Sequence, residues 1–96
     1  MKIELENQVS HFLQSLAFEP RRTVRAALRR LENEAGDIQP LEAELSGYYR
    51  LRVGKYRIIF RYVTGANSRR MRCVYAAPRG LVYEIFAEQL REIMRR

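Results

Sequence analysis

The sequence predicts a single α+β domain spanning residues 1–96. A small antiparallel sheet of three to four strands packs on an N-terminal helical hairpin, and a C-terminal helix follows. Three observations predict this fold: apolar residues at helical spacing in two runs before residue 36, alternation with a period of two from residue 48 to 77, and helical spacing again after residue 84. A chain of 96 residues is long enough for one hydrophobic core of two layers.

The N-terminal third predicts a short strand and the helical hairpin. Ile3 and Leu5 alternate with charged residues and indicate a first strand. Pro20 suits the first turn of the second helix, and Gly36 is its predicted stop. The apolar stripes of the two helices are Val9, Phe12, Leu13, Leu16 and Val24, Ala27, Leu28, Leu31. Most arginines of the second helix fall on its outer face, Arg21, Arg22, Arg25, Arg29 and Arg30. We interpret them as solvated, with a secondary nucleic-acid or partner contact as the alternative.

The stretch from Tyr48 to Tyr62 predicts a β-hairpin that turns at Gly54 and Lys55. Glycine at the first turn position fits a type II′ turn, which sets the register and places Arg52 opposite Arg57. One face is predicted to be core, Tyr49, Leu51, Val53, Tyr56, Ile58, Phe60 and Tyr62, and the other carries Arg50, Arg52, Arg57, Ile59 and Arg61. Like charges placed directly opposite destabilise a sheet by up to ~1 kcal/mol, so this arrangement predicts an anionic ligand.

The remaining segments complete the sheet and add the last helix. Residues 37–47 are interpreted as a loop in which Leu41 and Leu45 lie under the sheet. A further strand is predicted over residues 71–77 and is ended by Pro78 and Gly80. The last helix is predicted from Glu84, with an apolar set of Ile85, Phe86, Leu90, Ile93 and Met94.

The charge distribution predicts a surface that binds a polyanion. Residues 48–83 contain nine basic and no acidic residues, whereas the rest of the chain is slightly acidic. Guanidinium groups match phosphate oxygens with two parallel hydrogen bonds. Tyr48, Tyr75 and Tyr83 are candidates for stacking on unpaired bases.

Other classes of function lack their sequence signatures. The single cysteine, Cys73, lies in an apolar run and is predicted to be a buried thiol. No metal-ligand motif, phosphate-binding glycine loop, transmembrane run or signal peptide is recognisable, so we expect no cofactor, no metal, no membrane contact and a cytoplasmic location.

The hairpin and its surroundings resemble the RelE/ParE superfamily of toxins from bacterial toxin-antitoxin modules. The resemblance rests on Leu45-Ser46-Gly47, on the run Tyr49-Arg50-Leu51-Arg52-Val53-Gly54-Lys55-Tyr56-Arg57-Ile58-Ile59-Phe60, and on Arg79 with Val82-Tyr83. It covers about residues 5 to 85. It implies a small antiparallel sheet on a helical hairpin and, in the RelE-like branch, cleavage of messenger RNA in the ribosomal A site without metal.

The resemblance also implies roles for individual residues. Arg57 and Arg79 would stabilise the scissile phosphate, and Tyr83 would sit beside the reacting groups as the candidate for proton transfer. Arg50 and Arg52 would hold substrate charge, and we assign Lys55 and Arg61 to the same phosphate-binding set.

Two alternatives and a set of partners accompany this interpretation. Relatives that cleave RNA often have a histidine or lysine near the end of the final strand, where this chain has Ala77-Pro78-Arg79. A ParE-like inhibitor of DNA gyrase is therefore one alternative, and an inactive member of a repressor complex is the other. The expected partners are a cognate antitoxin, messenger RNA and the ribosome, with DNA reached only through the antitoxin complex.

Overall fold

The computed structural model, which describes residues 1–65 and 67–95, confirms the α+β fold. The strands are β1 Lys2–Leu5, β2 Asp37–Pro40, β3 Tyr49–Val53, β4 Tyr56–Gly65 and β5 Ser68–Pro78. The helices are α1 Asn7–Ser15, α2 Phe18–Leu31 and α3 Val82–Met94. A single 3-10 turn, Ala43–Leu45, connects β2 to β3. Apart from β2, which was predicted as loop, the order of helices and strands is the predicted one, and α3 begins two residues earlier than expected.

The described strands form a five-stranded sheet in the order β1-β5-β4-β3-β2, one strand more than the predicted upper limit. The strand that the sequence analysis missed is β2, which lies within the predicted loop and pairs antiparallel with β3. Its polar residues and Pro40 are unfavourable in strands, but a proline is tolerated at the edge of a sheet. β1 is parallel to β5, so the sheet is mixed and not purely antiparallel.

The central hairpin, β3 and β4, has the predicted register. Val53 pairs with Tyr56, and Arg52 pairs with Arg57. Gly54 has φ 57°, while Lys55 is not among the residues with positive φ. A positive φ at the first turn position alone is typical of a type II′ turn, because type I′ requires it at both positions.

A β-bulge in β5 changes which side chains share a face. Ile59 pairs with Tyr75 and the next residue, Phe60, pairs with Cys73, so Val74 has no partner across the strands. Because side chains alternate along a strand, the extra residue shifts the alternation by one position. The first half of β5 therefore places its even-numbered arginines on the same face as Tyr75.

The main core lies between one face of the sheet and helices α1 and α2. The apolar stripes predicted for the two helices supply Val9, Leu13, Val24, Ala27, Leu28 and Leu31, and Phe12 and Leu16 pack against them. Helix α2 ends at Leu31, and the left-handed residue after it is Glu34, at φ 55°, where Gly36 was expected to stop the helix. The amide of Ala35 donates to the carbonyl of Arg30 and closes this end.

A second apolar cluster lies on the other face of the sheet, under α3. It consists of Leu45, Ile59, Tyr75, Val82, Phe86 and Ala87. This cluster explains the single apolar residue on the arginine face of the hairpin, because Ile59 is fully buried there. None of the described helices is long and apolar enough to cross a membrane.

Cys73 is fully buried on the helical-hairpin side of β5, as predicted. Burial raises the pKa of its thiol to about 12, so the reactive thiolate is disfavoured at neutral pH.

Candidate nucleic-acid interface

The arginines on the α3 face of the sheet form two groups. The first, which we call the turn end, consists of Arg52, Arg57 and Arg79 beside the β3–β4 turn. The second, which we call the β1 end, consists of Arg61, Arg70 and Arg72 with Glu4. Arg57 and Arg61 are separated by about 13 Å along β4, at ~3.3 Å per residue. Between them lies Ile59, which is buried under α3.

A row of paired residues crosses four strands at the turn end. Asp37, Arg52, Arg57 and Ala77 occupy successive strands from β2 to β5. The carboxylate Oδ2 of Asp37 lies 4.0 Å from Nε of Arg52. The predicted repulsion between Arg52 and Arg57 is therefore partly offset by a carboxylate from outside the basic segment, which the sequence analysis did not foresee.

Arg50 is held in an ion pair with Asp37. Its Nη1 donates to the Asp37 carboxylate at 3.2 Å and to the Asp37 backbone carbonyl at 3.1 Å. The side chain of Arg50 is only 14% exposed. In the free protein this predicted phosphate contact therefore fastens the edge strand β2 to the sheet.

Arg57 folds back over the turn of its own hairpin. Its Nη1 donates to the carbonyls of Gly54 at 2.8 Å and Tyr56 at 2.9 Å. These bonds fix the position of the guanidinium plane. Among the described residues neither Nε nor Nη2 has an acceptor, so three N–H groups of a positioned fork are left without a protein partner.

Arg79 reaches the same turn from the end of β5. Its backbone N–H donates to the carbonyl of Lys55 at 2.6 Å. The side-chain amide of Gln8 makes two bonds to the backbone of Ala76, donating to its carbonyl at 2.7 Å and accepting from its N–H at 2.8 Å. The first bond holds the end of β5 against the hairpin, and the bonds of Gln8 fasten β5 to α1. The side chain of Arg79 is exposed.

Tyr83 lies in the first turn of α3, four residues after Arg79. It is half-buried against the cluster under α3, which leaves part of its surface exposed to solvent. The prediction that Tyr75 stacks on bases is wrong, because Tyr75 is 9% exposed and packs against Phe86 with ring centroids 5.8 Å apart. Tyr48 is also engaged with Phe86, at a centroid distance of 5.1 Å.

Two of the predicted phosphate contacts do not join the turn end. The ammonium of Lys55 lies over the ring of Tyr56, 5.5 Å from its centroid, on the side of the sheet that carries α1 and α2. Arg61 pairs with Arg72 across β4 and β5 and so belongs to the β1 end. A role for either residue in binding RNA stays a prediction.

At the β1 end the arginines share one carboxylate. Glu4 lies 3.1 Å from Nε of Arg70 and 3.1 Å from Nη2 of Arg72. The hydrogen bond from Arg72 lowers the pKa of Glu4 below its ordinary value of 4.5, and the charge of Arg70 adds to this effect. The parallel pairing of β1 with β5 places this carboxylate beside the two guanidinium groups.

The arginines of α2 form a separate basic surface on the other side of the sheet. Phe18 and Arg21, Arg22, Arg25 and Arg29 line an open cavity of about 330 Å³. One weak ion pair, Arg22 with Glu19 at 3.9 Å, is found among these side chains, and both partners are more than 70% exposed. This surface is remote from the turn end and supplies control positions for experiments.

Comparison with known proteins gives matches among solved structures alone. No family model matches the sequence, and no curated protein matches it. A YoeB/ParE toxin from Agrobacterium tumefaciens superposes with a TM-score of 0.66 at 16% identity, covering 83% of this chain and 100% of that one. A chain of the archaeal RelE-RelB complex from Pyrococcus horikoshii has a TM-score of 0.62 and 29% identity, covering 82% and 94%. A toxin-antitoxin complex from Mycobacterium tuberculosis contains a chain with a TM-score of 0.63 and 21% identity, covering 81% and 96%.

These likenesses define the class of the protein as a small α+β domain with the RelE-like fold. The likeness extends over nearly the full length of each matched chain. Together with the hairpin sequence and the arginines beside its turn, it supports the resemblance of the chain to the RelE/ParE superfamily of toxins.

Proposed function

We propose that this chain is the toxin of a toxin-antitoxin module and that it cleaves messenger RNA on the ribosome without a metal ion. The observation that supports this most directly is the bond from the Arg79 amide to the Lys55 carbonyl. It brings the backbone of Arg79, from the end of β5, to the turn over which Arg57 folds, so that two arginines distant in sequence lie at the same end of the sheet. Two forked donors at one end are suited to a phosphodiester.

The proposed chemistry is transesterification. The 2′-oxygen of the upstream nucleotide attacks the adjacent phosphorus, the bond from phosphorus to the 5′-oxygen breaks, and a 2′,3′-cyclic phosphate forms. Negative charge grows on the nonbridging oxygens in the transition state. The positioned fork of Arg57 and the guanidinium of Arg79 would bind that charge, and one such donor contributes roughly 3–4 kcal/mol.

Proton transfer is assigned to Tyr83. Arginine does not readily release a proton, and β5 ends in Ala77-Pro78-Arg79 without a histidine or lysine. Tyr83 is four residues from Arg79 and partly accessible. Its hydroxyl would accept the proton of the 2′-hydroxyl and pass its own proton to the leaving 5′-oxygen, directly or through water molecules, so that the proton lost by the nucleophile ends on the leaving group.

An antitoxin is proposed as the protein partner. Three of the matched structures are named as complexes of a toxin with its antitoxin. In this chain Leu81, just before α3, and Ile85, Ile93 and Met94 of α3 are exposed. An acidic or amphipathic antitoxin segment that packs beside the sheet would cover apolar surface and neutralise guanidinium groups at once. A complex in which the turn end stays open and only α2 is touched would contradict this mode of inhibition.

Inducing the chain alone in bacteria tests the proposal, if RNA 5′ ends are mapped and plasmid supercoiling is assayed in the same cells. We expect new 5′ ends within translated messages and unchanged supercoiling. Arrest of growth with intact messages and inhibited gyrase would replace the nuclease proposal with the ParE-like alternative. If both the messages and the supercoiling stay unchanged, the chain is an inactive member that works in a repressor complex.

A further inference from the structure

Asp37 lies against two of the arginines assigned to the substrate, and nothing in the proposed chemistry uses it. Among the described residues it is the only carboxylate within 4.0 Å of Arg50 or Arg52. It belongs to β2, the strand that the sequence did not reveal, and it pairs directly with Arg52.

The two oxygens of the Asp37 carboxylate have different environments. Oδ1 accepts from Arg50 at 3.2 Å, and the backbone carbonyl of Asp37 accepts from the same nitrogen at 3.1 Å. Oδ2 lies 4.0 Å from Nε of Arg52, whose side chain is 54% exposed. One oxygen thus holds a mostly buried arginine, and the other makes a long contact with an exposed one.

We propose that Asp37 is a positioning residue that fixes Arg50 within the sheet and occupies the phosphate position at Arg52 until RNA displaces it. The inference rests on the proposed function only in taking the turn end as a site for RNA phosphates. A carboxylate and a phosphate oxygen compete for the same guanidinium donors. An exposed ion pair contributes about 0.2–1 kcal/mol, so a phosphate can displace Oδ2 from Arg52 at little cost.

Asp37→Asn separates the two roles of the carboxylate. The amide oxygen can still accept from Arg50, which leaves the amide nitrogen facing Arg52. The amide nitrogen and the Arg52 guanidinium are both hydrogen-bond donors and cannot bond to each other. Arg52 is therefore released, while Arg50 stays in place. Glu19→Gln on α2 is the matched control, because it also removes one negative charge beside an arginine but lies on the helical side of the sheet.

The measurement is the affinity for a 2′-O-methyl RNA oligonucleotide, which cannot be cleaved, followed by fluorescence anisotropy over a range of salt. We expect Asp37→Asn to bind about three- to fivefold more tightly at low salt, where exposed ion pairs are least screened. The log-log slope of affinity against salt should steepen by about 0.7, the value for one more phosphate contact on a single strand. Glu19→Gln should change the slope by much less.

Repeating the comparison with Arg52→Ala in the background shows whether the effect passes through Arg52. We expect Asp37→Asn to have no effect on affinity or slope there, whereas a merely structural or long-range effect would persist. Persistence of the effect, or equal behaviour of Asp37→Asn and Glu19→Gln, overturns the inference. Failure of the wild-type protein to cleave messages would defeat the proposed function and leave this comparison of binding unaffected.

Discussion

The two ends of the α3 face carry similar numbers of arginines but differ in how their charge is balanced. At the β1 end Glu4 bridges Arg70 and Arg72 with contacts of 3.1 Å. At the turn end Asp37 engages Arg52 only at 4.0 Å, and no carboxylate among the described residues pairs with Arg57 or Arg79. At the β1 end two of the three arginines share one carboxylate, although Nε of Arg70 is buried without a hydrogen-bond partner of good geometry. The turn end keeps more of its donors available for a ligand.

The origin of this difference is the topology of the sheet. The basic segment contains no acidic residue, so each balancing carboxylate comes from an edge strand supplied by another part of the chain. β1 runs beside β5 and delivers Glu4, while β2 runs beside β3 and delivers Asp37. Net charge along the sequence therefore locates the basic face, but pairing of strands decides which part of it can bind phosphate.

The largest expected effect is a difference in cleavage rate between variants at the turn end and variants at the β1 end. Arg57→Ala and Arg79→Ala should each slow cleavage of messages on programmed ribosomes by about 100-fold or more, as expected for the loss of one preorganised donor. Arg72→Ala at the β1 end removes the same charge and should stay within severalfold of the wild type. Single-turnover rates measure this difference, and an equal loss at both ends would show that overall charge, not the turn end, drives catalysis.

The next effect concerns Tyr83, in the first turn of α3. Tyr83→Phe keeps the ring and removes the hydroxyl, so the packing against the second cluster is retained. If the hydroxyl transfers the proton, the single-turnover rate should fall by up to about 100-fold, with RNA binding nearly unchanged. A loss of binding with an unchanged rate would instead assign Tyr83 to stacking.

A smaller effect is expected on the salt dependence of RNA binding. Replacing Arg52 and Arg79 together by alanine should reduce the log-log slope by about 1.4, since each phosphate contact to a single strand contributes about 0.7. The pair Arg25→Ala and Arg29→Ala on α2 should leave most of the slope. The reverse ranking would move the nucleic-acid interface to the helical side of the sheet.

The smallest expected effect is on stability, and it tests whether the ion pairs of Glu4 at the β1 end stabilise the fold. The pKa of Glu4 is lowered in the folded protein, so its contribution to stability is present above pH 4.5 and is lost as the pH falls through the lowered value. Glu4→Gln should therefore lower the melting temperature slightly near neutral pH, and the gap to the wild type should close in acid. A gap that is constant with pH would mean that Glu4 acts through packing alone.

Much of the fold was predictable because local signals agreed with it. The alternation in β3 and β4 and the glycine at the turn gave the register in which Arg52 faces Arg57. The parts that were missed depend on distant partners. Asp37–Pro40 forms a strand only because β3 offers an open edge, and Ile59 needed α3 to explain its burial.

The sequence predicted the types of residue in the candidate site, but it predicted less well which of them lie close together. Arg79 is held at the same turn as Arg57 by a backbone bond to Lys55 that no periodicity encodes. The bulge at Val74 sets which β5 residues share a face with the hairpin arginines, and Arg61 falls into the other group. The role of Asp37 could have been suspected only if its segment had been recognised as a strand beside β3.

The most direct test of the central difference is an NMR titration of the arginine side-chain Nε–Hε signals with a 2′-O-methyl RNA oligonucleotide. We expect the signals of Arg52, Arg57 and Arg79 to shift with a common affinity, while those of Arg70 and Arg72 stay in place. Shifts at Arg70 and Arg72 with an unmoved turn end would contradict this description, because the phosphate would then bind where Glu4 already forms ion pairs with both guanidinium groups.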